Sequence, residues 1–547
     1  MDAPLLDAVR AWIRADPDED DRAELQQLLD QQDEPELTDR FGGPLRFGTA
    51  GIRGPMRAGP NGINTSTVAR TAAGLAAFLG PSADVVVAFD GRHRSRDLAG
   101  TCAEVLAGAG CPVALVDAAV PTPLLAFAVR YRAAAAGVMV TASHNPATDN
   151  GVKVYLGGSA GNSGNAGNSG NGAQLAPPTD EEIEQAIAAV GAVGELPRRA
   201  PCPLFAAELA RTYLDVVVGP QRPGRELRIA YTPLHGVGLE LMTSALVRAG
   251  FREPVVVPEQ ATPDPDFPTV PFPNPEAAGA LDRLQELVRS SGADIGIASD
   301  PDADRCAVVV GDRALSGDEL GCLLGDALLR RRPGPVATSI VSSSLLPAIA
   351  AHAGVPCHVT LTGFKWLMRA GPDLVFAYEE ALGYAVRPDV VRDKDGISAA
   401  VLVAELADEL RASGRTLVDR LDELAVEFGL HLTRGVTVRL PSGKEAARRV
   451  AALHEEVPDQ LGGLVVRSVE PLRSDAVTLP RDGGVLLRLD GGRVLVRPSG
   501  TEPTVKAYLE LIRPVRGPVA EVRRTATAEL DRLALDVYAL LTGGLFH

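Results

Sequence analysis

The sequence predicts an α/β protein of three similar α/β domains with mixed sheets, followed by a C-terminal α+β domain. Three observations predict it. At 547 residues the chain exceeds what one hydrophobic core can serve, so three or four domains are expected. Apolar runs of strand length alternate with helical patterns and end abruptly in polar loops. From about Gly435 the pattern turns to short strands, with a helix near Lys444 to His454 and a strand over Arg493 to Val496. These changes place the domains at 1–203, 204–314, 315–434 and 435–547.

Taken in order, residues 1 to about 40 are acidic and carry apolar residues at helical spacing (Leu25, Leu28, Leu29), which predicts a helical arm. Arg46-Phe47-Gly48-Thr49-Ala50-Gly51-Ile52-Arg53-Gly54 is a glycine-punctuated loop able to bring backbone N–H groups and guanidinium to a phosphate. A helix over Val68 to Leu79 precedes the strand Val85 to Phe89, which runs into Asp90-Gly91-Arg92. A further strand at Val113 to Val116 leads to the run Gly137 to Val140, which opens into Thr141-Ala142-Ser143-His144-Asn145-Pro146. The strand resumes over Asn150 to Tyr155, and residues 157–172 then contain only Gly, Ser, Ala and Asn. Such a segment buries no core and is expected as a flexible surface insertion joining two strands.

The second unit starts at Arg228-Ile229-Ala230-Tyr231 and ends in the strand Asp294 to Ala298. That strand empties into Ser299-Asp300-Pro301-Asp302-Ala303-Asp304-Arg305. The third carries Thr362-Gly363-Phe364-Lys365-Trp366, the strand-like Leu374 to Tyr378 before Glu379-Glu380-Ala381-Leu382-Gly383-Tyr384, and Lys394-Asp395-Gly396. The last carries Arg497-Pro498-Ser499-Gly500-Thr501.

Composition narrows the function. A net charge of -16 argues against a nucleic-acid or anionic membrane surface as partner, so any anion site must be a local basic cluster. No apolar run reaches the roughly 18 residues of a membrane span, and Met1-Asp2-Ala3-Pro4 does not start a signal peptide. The six scattered cysteines fit reduced core residues of a cytoplasmic enzyme. Of 54 basic residues only five are lysine, Lys153, Lys365, Lys394, Lys444 and Lys506. An arginine-biased chain keeps lysine where a compact, titratable ammonium is needed, and three of the five lie in the motifs above.

A serine just past a strand end, followed by histidine and a proline-fixed turn, has its hydroxyl on a loop held by a rigid scaffold. Asp300, Asp302 and Asp304 alternate after a strand and can converge oxygens on one hard cation; a solvated acidic turn is the alternative. An EF-hand loop is excluded, because the flank is a strand and no glutamate sits at the twelfth position. Arg497, Ser499, Gly500 and Thr501 combine a guanidinium, hydroxyls and a close backbone approach, the parts of a phosphate cradle; an ordinary turn is the alternative. Placed in a cleft, Glu379 and Glu380 can accept the vicinal hydroxyls of a sugar; two solvated acids are the alternative. Together these fit phosphoryl transfer on a phosphosugar.

In this order, from about Phe47 to the C-terminal region, the motifs resemble those of the α-D-phosphohexomutase family of phosphoglucomutases and phosphomannomutases. The resemblance implies four domains around a central cleft and a phosphoserine at Ser143. It implies Mg²⁺ held by Asp300, Asp302, Asp304 and the Ser143 phosphate. It also implies catalytic roles for His144, Lys153, Arg305 and Arg53, with Lys153 a candidate general acid/base. Substrate binding would fall to Glu379, Glu380, Gly363, Lys365, Lys394, Arg497, Ser499, Gly500 and Thr501. A sugar 1,6-bisphosphate would serve as activator. The expected partner is a phosphosugar substrate, with no nucleic acid and no membrane, for a cytoplasmic monomer or dimer.

One departure concerns the sugar. Many glucose and mannose mutases carry a Glu plus a Ser in the sugar loop, and 379–383 has no serine. The Glu-Glu-Ala form resembles the subgroup with phosphopentomutases and sugar-bisphosphate synthases. The leading expectation is interconversion of sugar 1-phosphate and 6-phosphate, on glucose or mannose. The alternatives are a phosphopentomutase, a sugar-1,6-bisphosphate synthase and, last, a non-enzymatic phosphosugar sensor.

Overall fold

In a computed structural model the described residues are 3–48, 50–158, 170–474, 483–499 and 503–543. The chain divides into two compact units, Met1–Leu315 with Gly383–Glu405, and Ser316–Leu382 with Leu406–His547. The segment 383–405, grouped with 315–434 on sequence, therefore packs within the first unit.

The first unit opens with the helical arm: Ala3–Ala15, Glu19–Gln31 and Glu34–Phe41. The second and third helices start at Asp18 and Asp33, whose carboxylates accept from first-turn N–H groups. Val9, Leu25 and Leu37 close a small core of their own with Ala58.

Behind the arm lies a mixed seven-stranded sheet. Val85–Phe89 is central and fully buried, pairing parallel with Val113–Val116 and with Ala136–Val140. A run of valines buried on both faces is what a central parallel strand requires. Asp149–Leu156 continues antiparallel to Ala136–Val140, and Ile52–Pro55 forms the edge. Thr65–Leu79, capped by the Asn64/Thr67 box, and Ser95–Gly108 supply Val68, Leu75, Leu98 and Leu106 to the core. Each such buried side chain is worth about 1.5–3 kcal/mol.

Asp149–Leu156 pairs antiparallel with Ala173–Gln174 across the Gly/Asn/Ser segment, so that segment joins two strands, as expected; residues 159–169 of it lie outside the described residues. A second sheet pairs Ile229–Thr232 parallel with Ile295–Ala298, and Ala307–Val310 antiparallel with the latter. In both sheets the carboxyl ends of the parallel strands release the polar loops, the usual place for a ligand site in α/β proteins.

In the second unit, Val336–Ser339 lies parallel to Cys357–Thr360 on one side and Phe376–Glu379 on the other. The strand expected over Leu374 to Tyr378 is thus shifted by two residues at its start, and Glu379 ends it. A six-stranded sheet follows in the order Leu430–Arg439, Thr504–Arg513, Gly492–Pro498, Val485–Leu489, Leu464–Pro471 and Gln460–Leu461. Gly443–Ala452 and Val519–Thr542 contribute Val450, Leu533 and Leu540 to its core with Leu487, Val494 and Leu509. This is the α+β layer expected beyond Gly435.

Candidate active site

The serine loop and the aspartate loop meet inside the first unit. Ser143 is 1% exposed and has φ +54, a left-handed backbone unusual for a residue with a Cβ. Its hydroxyl donates to Asp300 Oδ2 at 2.8 Å and lies 3.2 Å from His144 Nδ1. Asp300, Asp302 and Asp304 are fully buried, and one carboxylate oxygen from each falls within 4.8 Å of the others. The backbone N–H of Arg305 donates to Asp300 Oδ1 at 3.1 Å, closing the loop.

The buried cations face these acids. Lys153 Nζ donates to Asp302 Oδ2 at 2.6 Å and Asp304 Oδ2 at 2.8 Å, and Lys394 Nζ stands 3.3 Å from Asp304 Oδ2. Burial alone would lower the Lys153 pKa, but the two carboxylates outweigh it and raise it. Burial would raise Asp304, yet Lys153, Lys394 and Arg305 hold it well below the usual carboxylate range. Asp302 is raised, first by burial and then by the Asp304 charge. Burial, then Arg305 and Arg53, push His144 well below 6.5, leaving a neutral ring.

Arg53 enters from the edge strand, paired in register with Gly151, two residues from Lys153. A Cβ at Gly151 would stand 2.8 Å from the Arg53 side chain and 2.5 Å from Ile52 O, so glycine lets the two strands and that side chain meet. Arg305 Nη1 donates to Glu276 Oε2 at 3.1 Å, and its Nε lies 3.9 Å from Asp300 Oδ2.

Asp302 Oδ1 and Asp304 Oδ1 are buried with no hydrogen-bond partner among the described residues. Orphaned carboxylate oxygens are costly to bury. Beside Asp300 they form an all-oxygen donor set that fits a hard divalent cation such as Mg²⁺. The residues present therefore fit the metal that the motif implies.

Several residues at this site carried no signal in the sequence. Thr122 donates its hydroxyl to Asp302 Oδ2 at 2.7 Å and its N–H to Asp302 O at 2.9 Å. Tyr155 donates to Asp393 at 2.5 Å beside Lys394, and Tyr213 donates to Asp395 at 2.8 Å. The ring of Phe272 meets His144 edge-on with centroids 5.9 Å apart. Most of these contacts join residues far apart in the chain, which no local pattern reveals.

The second unit holds the residues expected to form the sugar loop and the phosphate cradle. Glu380 Oε2 accepts from Ser339 Oγ at 2.9 Å and Ser342 Oγ at 3.1 Å. Its pKa is pushed up to about 7 by burial, then by Glu379 and Asp318. Two hydroxyls of a neighbouring serine-rich turn thus meet Glu380, while 379–383 itself carries no serine. Gly363, at φ +109, opens the short helix Phe364–Leu367, and Lys365 Nζ stands 6.0 Å from the Trp366 ring centroid. Arg497 donates to the Tyr508 hydroxyl at 3.2 Å, and Tyr508 feels the charges of Arg497, Glu380 and Glu379. Ser499 N–H donates to Thr504 O at 2.8 Å; Gly500 and Thr501 lie outside the described residues.

A buried serine hydroxyl on a triad of carboxylates, ringed by arginines and lysines, defines a phosphotransferase-type centre. The family models for phosphoglucomutase/phosphomannomutase match in order: alpha/beta/alpha domain I over residues 44–193, domain II over 207–314, domain III over 316–428 and the C-terminal domain over 438–511. A protein of Haemophilus influenzae named "Probable phosphomannomutase" is 39% identical over 464 residues, covering 82% of this chain and 93% of its own. A protein of Schizosaccharomyces pombe named "Probable phosphoribomutase" is 33% identical, covering 93% and 94%. The crystal structure of a phosphoglucomutase/phosphomannomutase family protein from Burkholderia thailandensis shares the fold at 20% identity, with a TM-score of 0.67 over 90% of this chain and 97% of that one. The chain belongs to the phosphoglucomutase/phosphomannomutase family, and its four domains are those of that family. No helix among the described residues is long and apolar enough to cross a membrane.

Proposed function

We propose that this protein interconverts the 1-phosphate and 6-phosphate of a hexose, glucose or mannose, in the cytoplasm, through a phosphorylated Ser143 and a bound 1,6-bisphosphate. The observation that carries the reading is Ser143 Oγ, 2.8 Å from Asp300, in a buried cluster with two orphaned aspartate oxygens. Asp300, Asp302, Asp304 and the Ser143 phosphate would hold Mg²⁺, which when bound neutralises charge on the transferring phosphoryl group. A sugar 1,6-bisphosphate serves as activator by loading Ser143.

In the first transfer the Ser143 Oγ–P bond breaks and a bond forms from phosphorus to the free hydroxyl of the sugar monophosphate. The hydroxyl proton leaves with this step, and the serine oxygen receives one. Lys153, protonated between its carboxylates, is the candidate acid at the serine oxygen, and the same carboxylates hold its proton more tightly than in a free ammonium. Neutral His144, with Nδ1 3.2 Å from the serine hydroxyl, is the proton acceptor within reach of the serine. Arg53 and Arg305 offset phosphate charge. The bisphosphate then turns over, and its other phosphoryl group returns to Ser143. Glu379, Glu380, Gly363 and Lys365 hold the sugar, and Arg497 and Ser499, with Gly500 and Thr501, grip the phosphate that is not reacting.

A second reading is a phosphopentomutase, favoured by the loop 379–383 without serine and by the Schizosaccharomyces pombe relative. A panel of the 1-phosphates of glucose, mannose, ribose and deoxyribose, with Mg²⁺ and a trace of bisphosphate, separates the two. The proposal predicts the highest kcat/KM on a hexose; a clear preference for pentoses replaces it with the second reading.

A further inference from the structure

The Asp90-Gly91-Arg92 turn follows the central strand and takes no direct part in the chemistry above. We propose that Arg92, anchored by Asp90, is a positioning residue that holds Ser143 in its transfer-competent backbone conformation. This role rests on the phosphoserine reading.

One guanidinium gathers four carbonyls of the serine loop. Arg92 Nη2 donates to Ser143 O at 2.6 Å and Asn145 O at 2.5 Å, and Nη1 to Pro146 O at 2.8 Å and Asp149 O at 3.1 Å. Its side chain is 1% exposed, with Cζ 5.0 Å from the Phe267 ring centroid. Asp90 orients it: Oδ1 accepts from the Arg92 N–H at 3.1 Å and from Ser95 Oγ at 2.7 Å, and Oδ2 lies 3.6 Å from Arg92 Nε. Asp90 Oδ2 also accepts from Thr141 Oγ1 at 2.5 Å, and Thr141 Oγ1 accepts the Ser143 N–H at 2.8 Å.

The backbone on both sides of Ser143 is therefore tied to Asp90, the N–H through Thr141 and the carbonyl through Arg92. A left-handed non-glycine residue persists only where its surroundings over-determine it. Released, Ser143 would relax toward ordinary φ and carry its Oγ away from Asp300. A displacement of about 1 Å at a reacting atom is enough for about a 10²-fold loss of rate. Lysine cannot replace the arginine, because three donors at one point cannot span four carbonyls along a loop.

Arg92→Lys and Thr141→Val test the role, with Ser143 phosphorylation by glucose 1,6-bisphosphate followed by quenched-flow intact mass, alongside steady-state kcat and KM. The expected result is about a 10²-fold slower gain of one phosphoryl group and a matching fall in kcat, with KM unchanged. Far-UV circular dichroism identifies any variant that does not fold; if Arg92→Lys is one, Thr141→Val decides alone. Folded variants that load Ser143 at the wild-type rate, or lose only KM, overturn the positioning role and leave the function standing. A wild-type protein that takes no phosphoryl group on Ser143 overturns both.

Discussion

Lys153→Met removes a side chain that bridges two of the three buried aspartates. Lys153 is 1% exposed, 2.6 Å from Asp302 and 2.8 Å from Asp304. Taking one partner out of a buried charge pair costs about 3–5 kcal/mol, because the remaining charge is left uncompensated. Lys394, 3.3 Å from Asp304, still compensates part of it, so about 3 kcal/mol is expected without metal. Mg²⁺ competes with Lys153 for the same carboxylates, so it should bind Lys153→Met more tightly than wild type, and a Kd about a hundredfold lower in the variant returns about 2.7 kcal/mol at saturating Mg²⁺. Most of the loss should therefore disappear in Mg²⁺ and be exposed by EDTA. The chain has two tryptophans, and in a Trp366→Phe background Trp12 alone reports unfolding of the first unit in urea. A loss below about 1 kcal/mol in EDTA, or equal losses with and without Mg²⁺, would refute the view that lysine and cation share one pair of carboxylates.

Three further outcomes are expected. Ser143→Ala should abolish turnover while sugar phosphate still binds; near-normal kcat sinks the covalent route. Glu380, raised from 4.5 to about 7, gives the second unit stability that is full below about 4.5 and is lost as pH rises through about 7. Ionised Glu380 is the better acceptor for sugar hydroxyls, so sugar affinity should rise across that interval. Glu380→Gln should flatten both profiles beyond what substrate phosphate titration produces, and an unchanged pH dependence contradicts the assignment. Arg497→Met should raise KM by about 10- to 100-fold, the worth of a charged hydrogen bond, with kcat little altered; an unchanged KM removes Arg497 from the phosphate cradle.

Much of the first unit was legible because its signals are local. Gly137 to Val140 reads as a buried strand from apolarity alone, and the alternate aspartates declare their convergence through spacing. The scarcity of lysine was informative for the same reason: Lys153 and Lys394 both lie on Asp304, where a guanidinium fork would not fit the same point contact. The partners that make the site work were not legible. Thr122 reaches Asp302 across 180 positions and Glu276 reaches Arg305 across 29, contacts that no window of sequence contains. Glu380 looked like one of two solvated acids, yet the serines at 339 and 342 and the neighbouring acids turn it into a group that titrates near neutrality.

The most direct test of the central claim is to load the protein with glucose 1,6-bisphosphate, locate the phosphoryl group by peptide mass spectrometry, and then add a sugar monophosphate. The account predicts one phosphoryl group on Ser143, discharged to the sugar within a turnover. Phosphate on another residue, or a phosphoserine that survives the chase, would contradict it.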